Sequence, residues 1–160
     1  MRTLIKNGNI VTASDSYQAD ILIEDEKIVA IEISSTASAD LTFDAAGRYV
    51  FPGAIDVHTH LEMPFGGTVT ADDFTTGTTA AAAGGTTCIV DYALQTPGKT
   101  LGEALETWHK RADGKCAIDY GFHVAVTDLN DKVLAEMPAL IERYIKLNRI
   151  SCRNGSYDII

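Results

Sequence analysis

Two histidines one residue apart, His58 and His60, stand in the run Pro52-Gly53-Ala54-Ile55-Asp56-Val57-His58-Thr59-His60. The run opens on a turn signal and continues with the apolar–polar alternation of a strand. On such a strand Ile55, Val57, Thr59 and Leu61 share one face, and Asp56, His58 and His60 the other. Same-face neighbours lie roughly 6.5–7 Å apart, so imidazoles at i and i+2 can converge on one small volume. Neutral imidazole is a common ligand for Zn²⁺ and similar ions, although a polar outer face is the commoner use of such a pair. The surroundings bring the metal reading level with that one. A loop containing Pro and Gly, Met63-Pro64-Phe65-Gly66-Gly67, follows the strand, where α/β scaffolds carry their sites. Asp56 is placed to orient a ligating imidazole. The spacing supplies two ligands, which is part of a site and not the whole of one.

The elements that must position this pair read in two styles. Residues 1–50 form a β segment, with short apolar strands at Thr3-Leu4-Ile5, Asn9-Ile10-Val11, Ile21-Leu22-Ile23 and Ile28-Val29-Ala30-Ile31. Asn7-Gly8, Asp15-Ser16 and Asp25-Glu26-Lys27 are turn material between them, and a last strand spans Leu41 to Phe51 around a turn at Gly47. This predicts a small sheet or half-sandwich. From residue 51 to 147 the rhythm becomes strand, loop, helix. The histidine strand is followed by a helix over Asp72–Ala83, with a capping-box-like start in which Thr70 stands three residues before Asp73. An apolar, β-branched strand covers Thr86–Leu94. The second helix opens on the capping box Thr100-Leu101-Gly102-Glu103 and carries the stripe Leu101, Ala104, Leu105 and Trp108. A third strand spans Ala117–Thr127, and a third helix Asp131–Leu147 is broken or kinked near Pro138.

Strands alternating with helices mean βαβ units on a parallel sheet, so the fold class is α/β. Three such units do not close an eight-stranded barrel, which takes about 250 residues, and they leave the third strand with an unpaired edge. The tail, residues 148–160, carries Arg149 and Arg153 on an acidic chain and has no clear period. The chain reads as cut short.

Composition narrows the partners. The 160 residues carry 13 Lys+Arg against 22 Asp+Glu, a net charge of −9 that argues against nucleic acid or an anionic membrane as partner. Hydrophobic residues at 46% allow a real core, and no apolar run approaches the roughly 20 residues of a membrane helix. Cys88, Cys116 and Cys152 are far apart and odd in number, which disfavours disulfides and a thiolate cluster and fits a reducing cytoplasm. His123, in an aromatic strand, reads as a structural core histidine, and His109, beside Lys110 and Arg111, as part of a solvated face. Asp91 and Tyr92 fall where a site could be lined, with no defined role.

Beyond spacing, the residues carry a resemblance. Phe51-Pro52-Gly53-Ala54-Ile55-Asp56-Val57-His58-Thr59-His60 marks the metal-dependent amidohydrolase superfamily, and Met63-Pro64-Phe65-Gly66-Gly67-Thr68 is more specific. With Gly84-Gly85-Thr86-Thr87 and Asp119-Tyr120-Gly121-Phe122-His123, residues 1 to about 144 resemble the N-terminal third of bacterial D-hydantoinases (dihydropyrimidinases). The resemblance implies a partial TIM-like (β/α) barrel of about three βα units, preceded by a small β-sandwich-type segment. It implies two divalent ions, usually zinc, bridged by a carboxylated lysine, and opening of hydantoin or dihydropyrimidine rings to N-carbamoyl amino acids. His58 and His60 would bind the more buried ion, and Met63 and Phe65 would belong to the substrate-pocket lid. No catalytic residue is assigned. The bridging lysine, two further histidines and the catalytic aspartate have no counterpart here; Lys146 is near the lysine's place but in an unmatched context.

Two ligands bind zinc weakly, so the chain alone is expected to be inactive. Assembly into a homotetramer is implied by resemblance alone. In the related dihydroorotases an arginine two residues after the second histidine meets the substrate carboxylate. Glu62 stands there instead and would repel an anion, which favours a small neutral cyclic imide or ureide. An allantoinase-like enzyme, or a non-catalytic truncated relative acting as an assembly or scaffold module, fits the same residues.

Overall fold

The structure, a computed structural model, describes residues 1–142 and the backbone of residues 150–152 and 155–157. The chain divides into two compact units, Met1–Pro52 and Gly53–Ile160.

The first unit is one five-stranded mixed sheet. Strands β1 (Arg2–Val11), β2 (Ser16–Glu24) and β3 (Lys27–Glu32) form an antiparallel meander, and β4 (Leu41–Asp44) and β5 (Tyr49–Val50) both run parallel to β1. Ile10, Ala19 and Ile21 form its small buried cluster, with Ile5, Ile23 and Val50 packed on it. The β2–β3 hairpin closes through Asp25 and Glu26, both at positive φ (45° and 73°), as a two-residue turn requires. The expected turn at Asn7-Gly8 is overturned. Those residues form a bulge inside one continuous β1, where the register shifts between Ile5 and Gly8. Asn7 has a φ of 59°, and its N–H donates to Asp20 Oδ1 at 2.7 Å. The other Asp20 oxygen accepts the Ser35 N–H at 2.8 Å. A buried carboxylate thus satisfies two backbone donors that no ladder takes up.

The second unit carries a parallel three-strand core, β6 (Ala54–Thr59), β9 (Thr86–Leu94) and β10 (Asp119–Ala125), with β9 in the middle. Between β6 and β9 lie a short hairpin, β7 (Pro64–Phe65) and β8 (Thr68–Val69), and helix α1 (Phe74–Ala83). Helix α2 (Leu101–Ala112) links β9 to β10, and α3 (Asp131–Leu140) follows, with Pro138 inside it. Of the long third helix expected to Leu147, residues 143–147 lie outside the described residues. The third strand is shorter than the expected Ala117–Thr127. Its outer edge meets β11 (Ile150–Cys152) at Tyr120↔Ser151, and β11 pairs with β12 (Gly155–Tyr157), so two strands fall in the tail where no period was read.

Packing explains the order. Helix α2 buries Leu101, Ala104, Leu105, Trp108 and Ala112, the expected stripe extended by one turn, and its capping box between Thr100 and Glu103 forms as read. Leu105, Trp108 and Ala112 join Phe74, Ile89, Ala93, Cys116 and Tyr120 in one core. The start of α1 differs from expectation. Its N-cap is Asp73, which forms the capping box with Thr76, while the Thr70 hydroxyl accepts the Met63 N–H. The physical reason is that Thr70 belongs to the preceding hairpin and is used up at its base. Gly53, ahead of β6, passes so close to Thr87 that a Cβ there would come within 2.7 Å of the Thr87 Cβ.

Substituting Asp20→Asn puts an amide N–H₂ against one of the two backbone donors. It should lower stability by about 1–3 kcal/mol, read by denaturant unfolding. Burial raises the thiol pKa of Cys88 to about 11 and of Cys116 to about 12, with Asp119 adding to the first and Asp113 to the second. At pH 8 roughly one Cys88 thiol in a thousand, and fewer at Cys116, is ionised. Peptide mapping after alkylation should find both unmodified in the folded chain and both modified in urea.

Candidate metal centre

His58 and His60 project from the C-terminal end of β6, the position at which parallel α/β sheets carry their sites. Their ring centroids are 5.0 Å apart and nearly edge to face at 85°. The spacing argument therefore holds in space, since the two imidazoles meet on one side of the strand. Both are exposed. Two neutral imidazole donors suit a borderline ion such as zinc. Among the described residues no third His, Cys, Asp or Glu joins them in a cluster that could hold a metal.

Tyr92, which the sequence placed where a site could be lined but gave no role, stands beside the pair. Its ring lies 4.7 Å from His58, 5.3 Å from His60 and 4.9 Å from His123, so one phenol packs against three imidazoles. Its hydroxyl is 3.4 Å from His58 Nδ1. The available signal was register: Tyr92 lies on the strand that pairs with β6, one residue past Asp91, which pairs with Thr59.

Three expectations about polar groups are corrected. Asp56 does not orient an imidazole; its carboxylate accepts the backbone N–H of His58 at 3.1 Å. His123 is exposed and not a core histidine, and its Nε2 lies 3.0 Å from the Val57 carbonyl oxygen. His109 is half-buried and not wholly on a solvated face, its ring 5.1 Å from Phe122 and its Nδ1 3.4 Å from Asp113 Oδ1. Asp56 and His123 are both engaged with main chain, which side-chain patterning does not report.

Asp91 is fully buried. One of its oxygens accepts the Thr59 hydroxyl at 2.9 Å and the Leu61 N–H at 2.8 Å, and the other accepts the Tyr92 N–H at 2.7 Å. Burial raises its pKa, and the hydrogen bonds from Leu61, Thr59 and Tyr92 oppose that rise.

Met63 and Phe65 sit in the β7–β8 hairpin, closed by Gly66 and Gly67 at φ of 58° and 81°. Met63 and Thr70 pair at its base, and Phe65 is 75% exposed near its tip. The junction with β6 is Glu62, held at a φ of 49°. Its N–H donates to the Asp72 carbonyl at 3.0 Å, and its own carbonyl accepts Arg111 Nη1 at 2.7 Å. The Arg111 guanidinium lies 4.5 Å from the centre of the Trp108 ring, a cation–π contact that holds it over α2. The Glu62 carboxylate comes within 4.0 Å of Lys115 Nζ. Its charge is therefore partly offset, and repulsion by Glu62 is a weaker argument for a neutral substrate than the sequence suggested.

No helix among the described residues is long and apolar enough to cross a membrane. The amidohydrolase family model matches residues 49–155. A D-hydantoinase of Geobacillus stearothermophilus is 57% identical over 142 residues, which are 89% of this chain and 30% of the relative. The dihydropyrimidinase of Rattus norvegicus is 45% identical over 146 residues, 88% of this chain and 28% of the relative. The crystal structure of a dihydropyrimidinase from Brevibacillus agri matches with a TM-score of 0.86 at 56% identity, over 88% of this chain and 31% of that one. The chain thus spans about 30% of the length of the curated D-hydantoinase it matches. With the family match running from just before the histidine strand to the first residue of β12, the chain belongs to the amidohydrolase family.

Proposed function

We propose that this chain is the part of a cyclic amidohydrolase that supplies two metal-binding histidines and a substrate hairpin. The reaction is hydrolysis of the ring amide of a neutral hydantoin or dihydropyrimidine to an N-carbamoyl amino acid. The observation that carries the reading is the His58–His60 pair at the end of β6, followed after two residues by the Met63–Thr70 hairpin. The identity to D-hydantoinases and to dihydropyrimidinases supports the substrate class. The three parallel strands with their helices read as the first units of a (β/α) barrel.

Each group has a task in that chemistry. His58 and His60 would hold one divalent ion, zinc in this reading, through neutral ring nitrogens. When bound, such an ion lowers the pKa of water toward neutrality and polarises a carbonyl. Tyr92 packs both rings against β9 and limits their rotation. Met63 and Phe65 present apolar surface that can cover a ring and exclude water. The second ion, the carboxylated lysine that bridges the two, a homotetrameric assembly and a cytoplasmic setting belong to the same reading, by likeness to the family.

Two measurements check it. Equilibrium dialysis with zinc should give weak binding, micromolar or weaker, that His60→Ala removes, and the chain alone should open neither hydantoin nor dihydrouracil. Tight stoichiometric zinc with turnover would overturn the two-donor reading. In an active assembly that contains this chain, Phe65→Ala should raise KM for the ring substrate several-fold and leave kcat nearly unchanged, because the side chain contributes cover and not chemistry. An unchanged KM would remove Phe65 from the substrate site.

A further inference from the structure

Among the described residues strand β6 pairs on one side only, and its last residues do not follow the ladder. Its register with β9 runs Asp56↔Ile89 and then Thr59↔Asp91, three steps on β6 against two on β9. Such a bulge leaves backbone groups without ladder partners and re-aims side chains. Side chains of β9 and β10 take up the slack. His123, from β10, reaches the Val57 carbonyl at 3.0 Å, and the buried Asp91, from β9, accepts the Leu61 N–H and also the Thr59 hydroxyl. A carbonyl oxygen only accepts, so His123 Nε2 carries the proton and is not available to a metal ion in this arrangement.

The three anchored residues, 57, 59 and 61, alternate with the two histidines. Holding them from the β9 and β10 side leaves His58 and His60 a single common direction. We propose that Asp91 and His123 are positioning residues, which fix the bulged end of β6 so that His58 and His60 are preorganised as a pair of metal donors. The inference rests on the reading of those two histidines as donors. A strand end exposed on both faces and without these holds would rotate, and a chelate would have to order it first.

The test is a zinc titration of the ¹⁵N-labelled chain followed by long-range ¹H–¹⁵N spectra of the imidazoles, with affinity taken as the difference from the His58→Ala/His60→Ala double variant. In the wild type, His58 and His60 should respond together, while His123 stays an Nε2–H tautomer. His123→Phe keeps a ring against Tyr92 and removes the donor. It should weaken zinc binding about tenfold or more and uncouple the two responses, and Asp91→Asn should act in the same direction. His123→Gln, whose amide can donate to the Val57 carbonyl, should restore most of the affinity. Far-UV circular dichroism of each variant keeps the comparison to folded protein. If His58 and His60 fail to respond together in the wild type, the metal reading itself is lost. If they do respond, but the folded His123→Phe and Asp91→Asn variants bind as the wild type does, the metal reading stands and the positioning proposal is overturned. Zinc on His123 itself would overturn it as well.

Discussion

The placement of the two histidines and of the hairpin after them depends on how the end of one strand, β6, is held. β6 has a ladder on one side only among the described residues, and Ile55 and Val57 are 58% and 57% exposed. An edge of this kind carries little packing energy of its own to define where its last residues lie. What defines them is a buried carboxylate and a ring nitrogen. Asp91 bears the cost of burial because three donors converge on it, and a buried acceptor is stable only when so satisfied. Removing one partner of such a set leaves the others unpaired, so the contacts act as a unit.

From that anchored end the chain passes directly into the hairpin. Glu62 lies in the left-handed region, which costs a non-glycine residue about 1–2 kcal/mol, and three contacts offset it. These are the Asp72 carbonyl, the Arg111 guanidinium seated over Trp108, and the Lys115 ammonium. The same end of the sheet is stitched elsewhere by Gln95. This buried amide donates to the Lys99 and Asp128 carbonyls and accepts from the Thr127 and Asp128 N–H groups. Glu136 of α3 accepts the Leu101 N–H at 2.6 Å at the start of α2, a carboxylate at the positive end of a helix. The loops that follow the strands are therefore fixed by side chains, and a site built on them inherits that rigidity.

Local patterning was sufficient wherever one residue type has one dominant use. The apolar stripe and capping box of α2, the β-branched run of β9 and the approach of two imidazoles one residue apart all follow from short-range geometry. Asn7-Gly8 shows where that logic stops. The dipeptide is a strong turn signal, but the Asp20 carboxylate receives the Asn7 N–H in a bulge, and no window of a few residues contains that partner. Thr70 shows the same limit at closer range. It has the right spacing to cap α1, yet its hydroxyl is taken by Met63 across the hairpin, and the cap passes to Asp73.

By itself the sequence determined that this is an α/β chain with two imidazoles at i and i+2 of one strand and a glycine-containing loop after it, because periods of two and 3.6 and a short glycine-rich turn are properties of neighbouring residues. Tertiary structure alone decided the partners of those groups. It gave Asp56 to the backbone rather than to an imidazole, brought His123 to the Val57 carbonyl, and set Tyr92 among three rings. These choices join residues more than thirty positions apart, or join a side chain to main chain, and their energies come from burial and hydrogen-bond satisfaction that exist only once the strands are side by side.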